Sequence, residues 1–427
     1  MINKQIIRDE ALGEQYSLIH HKSGLDILVW KMEGYRTTEA MFVTRYGSFN
    51  NIFRKAGQKD FTVVPEGIAH FLEHKLFENE DCTAFELYAQ TGAYANAYTT
   101  FDHTAYLFSC SQNWDKSLEV LLTFVQEPYF TKESIDKELG IIGQEIRMGL
   151  DSPERQCFYA LLRALYSEHP IKTDIAGTEE TIAQITPELL YECYDNYYDL
   201  HNMFLAIAGN VDEDKVIEIA DRLLRDCEDR SIETRIPSEP RDVCQKRIEL
   251  TFPVGLPIFN IGFKAEPFSG EERVRKTVAV SVALELMSGT MSPLYKRLLD
   301  ERLINSTFGY DIMAKDGIFF TAFTGESDDP DRVCELCLEE IERVKQEGFD
   351  QKLFDIVRKS TYGQIIRELS NPERVCSGFM VSGMIDGVDS FCQIRALRDL
   401  TAEQCRQEVE QLIDPQYCAV SVVRPEK

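Results

Sequence analysis

Three residues within five positions are of types that do chemistry together. His70, Glu73 and His74 stand in Pro65-Glu-Gly-Ile-Ala-His-Phe-Leu-Glu-His-Lys-Leu-Phe77, where Pro and Gly open a stretch whose apolar residues recur at helical spacing. On a helix, positions i and i+4 share a face, so the two imidazoles can converge on one divalent ion while Glu73, at i+3, projects beside them. Such a set is hydrolytic: the ion activates water and the carboxylate takes its proton. With seven histidines in the chain, chance would place His-x-x-Glu-His roughly 0.01 times. The competing reading is a hydrogen-bonded histidine pair without an ion.

A catalytic zinc site usually takes three protein ligands and leaves one position for water. The segment Glu133-Ser-Ile-Asp-Lys-Glu-Leu-Gly-Ile-Ile-Gly-Gln-Glu-Ile-Arg147 offers Glu138 and Glu145 seven residues apart, two turns along one helical face. That stripe otherwise holds Ile141, Ile142, Ile146, Gly140 and Gly143, and carboxylates there are costly to bury without a partner. Glu145 is therefore read as the third ligand and Glu138 as an outer carboxylate that orients a histidine. Two solvent-facing glutamates on an amphipathic helix are the alternative at this stage.

The elements that must position these residues repeat at half the chain length. Thr186-Pro-Glu-Leu-Leu-Tyr-Glu starts a helix with an N-cap signature and leads to the apolar run Met203–Ala208. Thr401-Ala-Glu-Gln-Cys-Arg-Gln does the same before Tyr417–Val423, at an offset of 401 − 186 = 215. A hairpin at 96–109 followed by helices near 118–125 and 132–148 matches a hairpin at 308–323 followed by helices near 334–344 and 356–367. The predicted class is α+β: two homologous domains, each a mostly antiparallel sheet with helices on one face. The polar, twice proline-broken stretch around 226–246 divides residues 1–230, carrying the metal, from a linker at 231–245 and a repeat at 246–427 without a metal site.

The overall charge narrows the partners. Lys and Arg number 46 against 72 Asp and Glu, a net charge of −26, which argues against nucleic acid or an anionic membrane surface and favours a cationic peptide. No run approaches the ~18 apolar residues of a spanning helix, and Met1-Ile2-Asn3-Lys4-Gln5 lacks an apolar leader. Twelve cysteines scattered over a long chain read as reduced thiols, so the expected location is cytoplasmic. Cys334 and Cys337 form a CxxC inside a helical pattern and are read as helix core rather than a redox pair.

His70-Phe-Leu-Glu73-His74, the Glu138/Glu145 pair, Asn96-Ala-x-Thr99, Gly177-Thr and Asn202-Met before Gly209-Asn-Val-Asp together resemble the pitrilysin/insulinase family, nearest its bacterial members of the mitochondrial-processing-peptidase type. The resemblance covers nearly the whole chain. It implies two repeated α+β domains forming half of a clam-shell, and a zinc-dependent endopeptidase or oligopeptidase that cuts peptides or unfolded segments in a chamber. It implies one Zn2+ per chain on His70, His74 and Glu145, with Glu73 as general base and Glu138 as supporting carboxylate. An edge strand at Ala95, Asn96 and Ala97 would pair with the substrate peptide. A homodimer or a heterodimer with a related subunit would close the chamber.

The second half departs from the family pattern. Gly363-Gln-Ile365 stands where the first half has Gly143-Gln-Glu145, and the early helix at 278–287 has no histidine. In Leu298-Leu-Asp-Glu-Arg-Leu-Ile-Asn305, Leu299 replaces the family's expected Arg and Asn305 its expected Tyr; Arg297, Arg302 and Tyr310 are the nearby substitutes. The alternative function is accordingly a catalytically weak or inactive assembly subunit. His20, His21 and His169 are read as structural, and His103 lies in the turn after the substrate strand.

Overall fold

The computed structural model describes residues 3–225 and 229–426, which form two compact units. The first three residues of the polar 226–246 stretch lie outside the described residues.

Unit 1 takes residues 1–146, 174–236 and 367–391. Its ten strands are β1 (Asn3–Asp9), β2 (Glu14–His20), β3 (Asp26–Lys31), β4 (Thr38–Thr44), β5 (Ile52–Lys55), β6 (Thr62–Val63), β7 (Tyr94–Thr99), β8 (Thr104–Cys110), β9 (Met203–Gly209) and β10 (Ile232–Thr234). Seven form one sheet in the order β1-β2-β3-β9-β4-β8-β7, antiparallel except for β3 with β9; β10-β5-β6 form a small second sheet. The central strands are apolar on both faces. Ile27, Val29, Ala40, Phe42, Leu205 and Ile207 join the main core, where the helices α1 (Ile68–Leu76), α2 (Ala84–Thr91) and α3 (Trp114–Phe124) also pack. Leu28, Trp30, Met41 and Val43 point the other way and are also buried. A sheet buried on both faces needs a second cover. The seven-residue π-helical segment Val375–Val381 lies on β4 and β9, and Phe379 and Phe391 stand against Trp30 at ring distances of 6.4 and 5.1 Å.

Unit 2 takes 147–173, 237–366 and 392–427. Its sheet orders β11 (Arg247–Phe252), β15 (Cys418–Pro425), β12 (Ile258–Ala265), β14 (Ile318–Glu326) and β13 (Gly309–Lys315) as β11-β15-β12-β14-β13. Phe259, Ile261 and Phe263 face the main core of this unit. The alternate face is covered by a helix from the first half of the chain, α5 (Pro153–Leu165), named after α4 (Lys132–Leu150). A Cβ at Gly262 would meet Leu161 at 2.8 Å, so β12 and α5 approach as closely as the missing side chain allows.

The α+β class and the largely antiparallel sheets agree with the sequence reading. The described units add what periodicity does not contain: residues 147–173 pack in the unit of the second half and 367–391 in that of the first, so each sheet gains helical cover on its second face. The passage from 236 to 237 falls inside the 231–245 stretch, but that stretch is tied down. β10 pairs with β5, and Glu239 accepts the backbone N–H groups of Glu168 and His169 and pairs with buried Lys264 at 2.7 Å. The stretch Gly270–Asp300 holds an 18-residue window of mean hydropathy 1.2, enough by length and composition alone to cross a membrane. It is broken between Ser288 and Pro293, 56% of its apolar window is buried, and its side chains fill the core of unit 2. The eleven described cysteines are free; Cys337 is buried and Cys334 half-buried on the helix Pro330–Glu347, as read from its pattern.

His169 is wholly buried in unit 2. Its Nδ1 accepts the Ile171 N–H and its Nε2 lies 3.2 Å from the Asp316 carbonyl, a pattern only neutral imidazole satisfies. Burial pushes its pKa down to about 4. An unfolded histidine binds its proton near 6.5, so stability falls as pH drops from 6.5 to 4 and levels below that, by about 3 kcal/mol in all. Denaturant unfolding of wild type and His169→Gln should therefore show a stability gap that narrows by roughly 2–3 kcal/mol between pH 7 and 4.5; a gap independent of pH contradicts the assignment.

Candidate metal centre

Helix α1 is apolar nearly all round. Ile68, Ala69, Phe71, Leu72 and Leu76 are core, and such a helix carries its polar residues inward with it. Its start is fixed by close backbone approach. Gly67, at φ 88°, precedes the helix, and a Cβ there would meet the Ala176 carbonyl oxygen at 2.5 Å; a Cβ on Gly177, φ 72°, would meet the Glu66 carbonyl oxygen at 2.6 Å. Two glycines thus let the entry to α1 lie against the 174–178 turn, which sets the rotation of the helix that bears the histidines.

His70 and His74 project together, with ring centroids 4.6 Å apart. Helix α4 brings its carboxylates to them. Glu145 places one oxygen 3.5 Å from His70 Nε2 and the other 3.7 Å from His74 Nε2. Ligand atoms bound at about 2.0–2.1 Å around a tetrahedral zinc stand roughly 3.3 Å from one another, and each Glu145 oxygen lies close to that spacing from the imidazole nitrogen it faces. His74 Nδ1 lies 3.0 Å from Glu138 Oε1. Because a carboxylate only accepts, His74 donates its Nδ1 proton there and turns its Nε2 lone pair toward Glu145 and the groove. Two imidazole nitrogens and a carboxylate oxygen are a donor set suited to zinc. Among the described residues, His70, Glu73 and His74 are the only group of three or more potential ligands whose donor atoms all lie within 4.8 Å of one another. Glu73 thus competes with Glu145 for the third position on distance; Glu145 is set apart by facing both imidazole nitrogens at once, one oxygen to each.

Glu73 is 8% exposed. Burial pushes its carboxyl above the usual carboxylate range, and neighbouring Glu145 adds to this while His74 and a 3.0 Å hydrogen bond from the Thr99 hydroxyl act against it. Burial alone would lower His74, but the Glu138 hydrogen bond and the charges of Glu73, Glu138 and Glu145 leave its pKa raised. Glu138 is lowered: burial opposes ionisation, and the bond to His74 and the charges of His74, Lys75 and Lys137 outweigh it. Three carboxylates around two imidazoles make a field that attracts a cation. Lys75, wholly buried, donates to Glu78 and to the Ser134 carbonyl and stands 4.0 Å from Glu138 Oε2, tying α1 to α4.

All five sequence-derived residues meet at one groove of about 620 Å³, lined also by Asn96, Ala97 and Thr99 of edge strand β7 and by stacked Phe77 and Phe85. Ala95, the remaining strand residue of the sequence reading, pairs with Phe108 on β8. Asn96 accepts the Ala97 N–H. One detail of the sequence stripe is corrected. Ile141 is 46% exposed and lies off the buried line of Ile135, Glu138, Ile142 and Ile146, because that line follows steps of three and four residues. Thr99 stands in the Asn96-Ala-x-Thr99 segment of the sequence, which does not reveal its contact with Glu73; Lys75, a fully buried lysine beside the motif, has no sequence signal beyond its position within an apolar helix. His103 is held by Asp102 and Thr100 within its own turn, and His20 by Asp26. In unit 2, Arg297 is committed to Glu301 and Glu339, Leu299 is half exposed, and Asn305 binds Glu326.

The family model described as Insulinase (Peptidase family M16) matches residues 61–179, and that described as Peptidase M16 inactive domain matches 184–361. The "Uncharacterized zinc protease YmfH" of Bacillus subtilis is 36% identical over 422 residues, 96% of this chain and 97% of its own. The chain belongs to the M16 family of pitrilysin and insulinase. Among M16 structures, a putative M16-like peptidase from Alicyclobacillus acidocaldarius superposes with a TM-score of 0.92 at 33% identity, over 100% of this chain and 99% of that one. A protease from Helicobacter pylori shares the fold, with a TM-score of 0.84 at 19% identity over 96% and 100%.

Replacing Glu138 with Gln keeps the shape but removes the charge that orients His74. Zinc affinity, measured by chelator competition, should fall about 10–100-fold; an unchanged affinity would show that Glu138 does not support the site.

Proposed function

We propose that the protein is a zinc-dependent endopeptidase or oligopeptidase of the M16 family. The observation that carries this reading is the convergence of His70 Nε2, His74 Nε2 and both Glu145 oxygens, with the buried Glu73 carboxylate alongside. His70, His74 and Glu145 hold one Zn2+ per chain, which when bound supplies the Lewis acidity that activates water and polarises the scissile carbonyl. Glu73 takes the water proton and passes it to the leaving amine. Glu138 keeps the proton on His74 Nδ1. The open edge of β7 at Ala95, Asn96 and Ala97 receives the peptide by strand addition, a contact through backbone groups that tolerates many sequences. Phe77 and Phe85 give the groove an apolar wall. The free thiols of the described cysteines support a cytoplasmic location, and by family likeness the working form is a homodimer or a heterodimer with a related subunit.

A second reading, a weakly active or inactive assembly subunit, is favoured by Leu299 and Asn305 in place of Arg and Tyr and by the inactive-domain description of the model matching 184–361. A quenched peptide library separates the two. The zinc-loaded protein should cleave it, and chelator should abolish cleavage. Glu73→Gln should keep zinc and lose about 10²–10⁴ in kcat. No cleavage at any zinc loading would support the assembly reading. Sedimentation at working concentration should show a dimer; a cleaving monomer contradicts the expected assembly.

A further inference from the structure

Glu73 presents a problem of selection. It is buried, its donor oxygen lies within 4.8 Å of the ligand atoms of both histidines, and a buried carboxylate beside a cation is drawn to it. A carboxylate that coordinates is no longer a free base. Something must hold it back. We propose that Thr99 is a positioning residue that tethers Glu73 outside the metal's coordination shell, leaving the third ligand position to Glu145; this rests on the zinc peptidase reading above.

The tether is built from the sheet. Thr99 ends β7 and pairs in register with Thr104 of β8. The Thr104 hydroxyl is wholly buried and shares its proton between the Tyr46 carbonyl at 2.8 Å and Thr99 Oγ1 at 3.3 Å. Thr104 is therefore a donor to Thr99 and takes no proton from it. The Thr99 proton is thus directed to the stronger, anionic acceptor, Glu73 Oε2 at 3.0 Å. A β-branched side chain in a strand has restricted χ1 freedom, so the hydroxyl is held by backbone that is itself fixed by the sheet. With Oε2 bound, Oε1 remains for proton transfer. Asn96 and Ala97 line the groove on the same strand, so the edge that takes the peptide and the group that aims the base are one element.

The test uses Thr99→Val, which keeps the shape and removes the hydroxyl, and Thr99→Ser, which restores it, each loaded with Co2+ in place of zinc. Visible absorption of the cobalt protein reports coordination. The Val variant should show altered d–d bands, metal affinity equal to or tighter than wild type, and a kcat about 10–100-fold lower with KM within about threefold, a share of what a general base contributes. The Ser variant should match wild type in both spectrum and kcat. In a Glu73→Gln background the Val substitution should leave the cobalt spectrum unchanged. Should Thr99→Val melt early, Thr99→Ala replaces it with the same expectations. A wild-type spectrum and kcat in the Val and Ala variants, or the same spectral change in the Glu73→Gln background, overturns the tether alone. Wild-type protein that takes up no Co2+, or that cleaves peptides equally well as Glu73→Gln, overturns the peptidase reading and the tether with it.

Discussion

The hydrogen bond from His74 to Glu138 is the interaction on which the site depends. It joins α1 to α4, assigns the His74 proton to Nδ1 and turns Nε2 toward Glu145. Lys75 ties the same two helices, but it assigns no imidazole tautomer. Both partners are largely buried, and each makes the other's charge tolerable: Glu138 stays ionised because His74 and Lys75 face it, and His74 holds its proton because Glu138 accepts it. A pair of this kind gains little stability over an apolar substitute, but it fixes geometry, and geometry is what a metal site requires.

Around that bond the fold supplies rigidity from three directions. Gly67 and Gly177 bring the entry of α1 against a neighbouring turn, Lys75 pins the end of α1 to α4, and the β7–β8 hairpin presents Thr99 beneath Glu73. The Lys75 and Thr99 contacts join the site to backbone that is already hydrogen-bonded in a helix or a sheet, so the donors are held largely by elements rather than by loops. The groove opens on the outer edge of the sheet, where unpaired backbone groups of β7 are available, whereas the central strands β3, β4 and β9 are covered on both faces.

The second unit repeats the plan without the chemistry. Its early helix, Gly270–Ser288, has no histidine, and Ile365 stands in the place of the glutamate and packs against an apolar core. The absence of the whole set leaves no unpaired buried charge behind, so the second unit can lack these residues at little cost to folding.

The sequence by itself determined the local pattern. Two histidines and a glutamate at helical spacing share a face whatever the rest of the chain does, and the seven-residue spacing of Glu138 and Glu145 is likewise a property of one helix. The half-length repeat, the strand–helix order and the class follow from periodicity for the same reason. Only the tertiary structure decided which helix meets which. That Glu145 reaches both imidazoles, that Thr99 rather than solvent binds Glu73, and that 147–173 and 367–391 cover the sheets of the opposite halves depend on long-range packing. An amphipathic pattern states that a face will be buried but carries no address for what buries it.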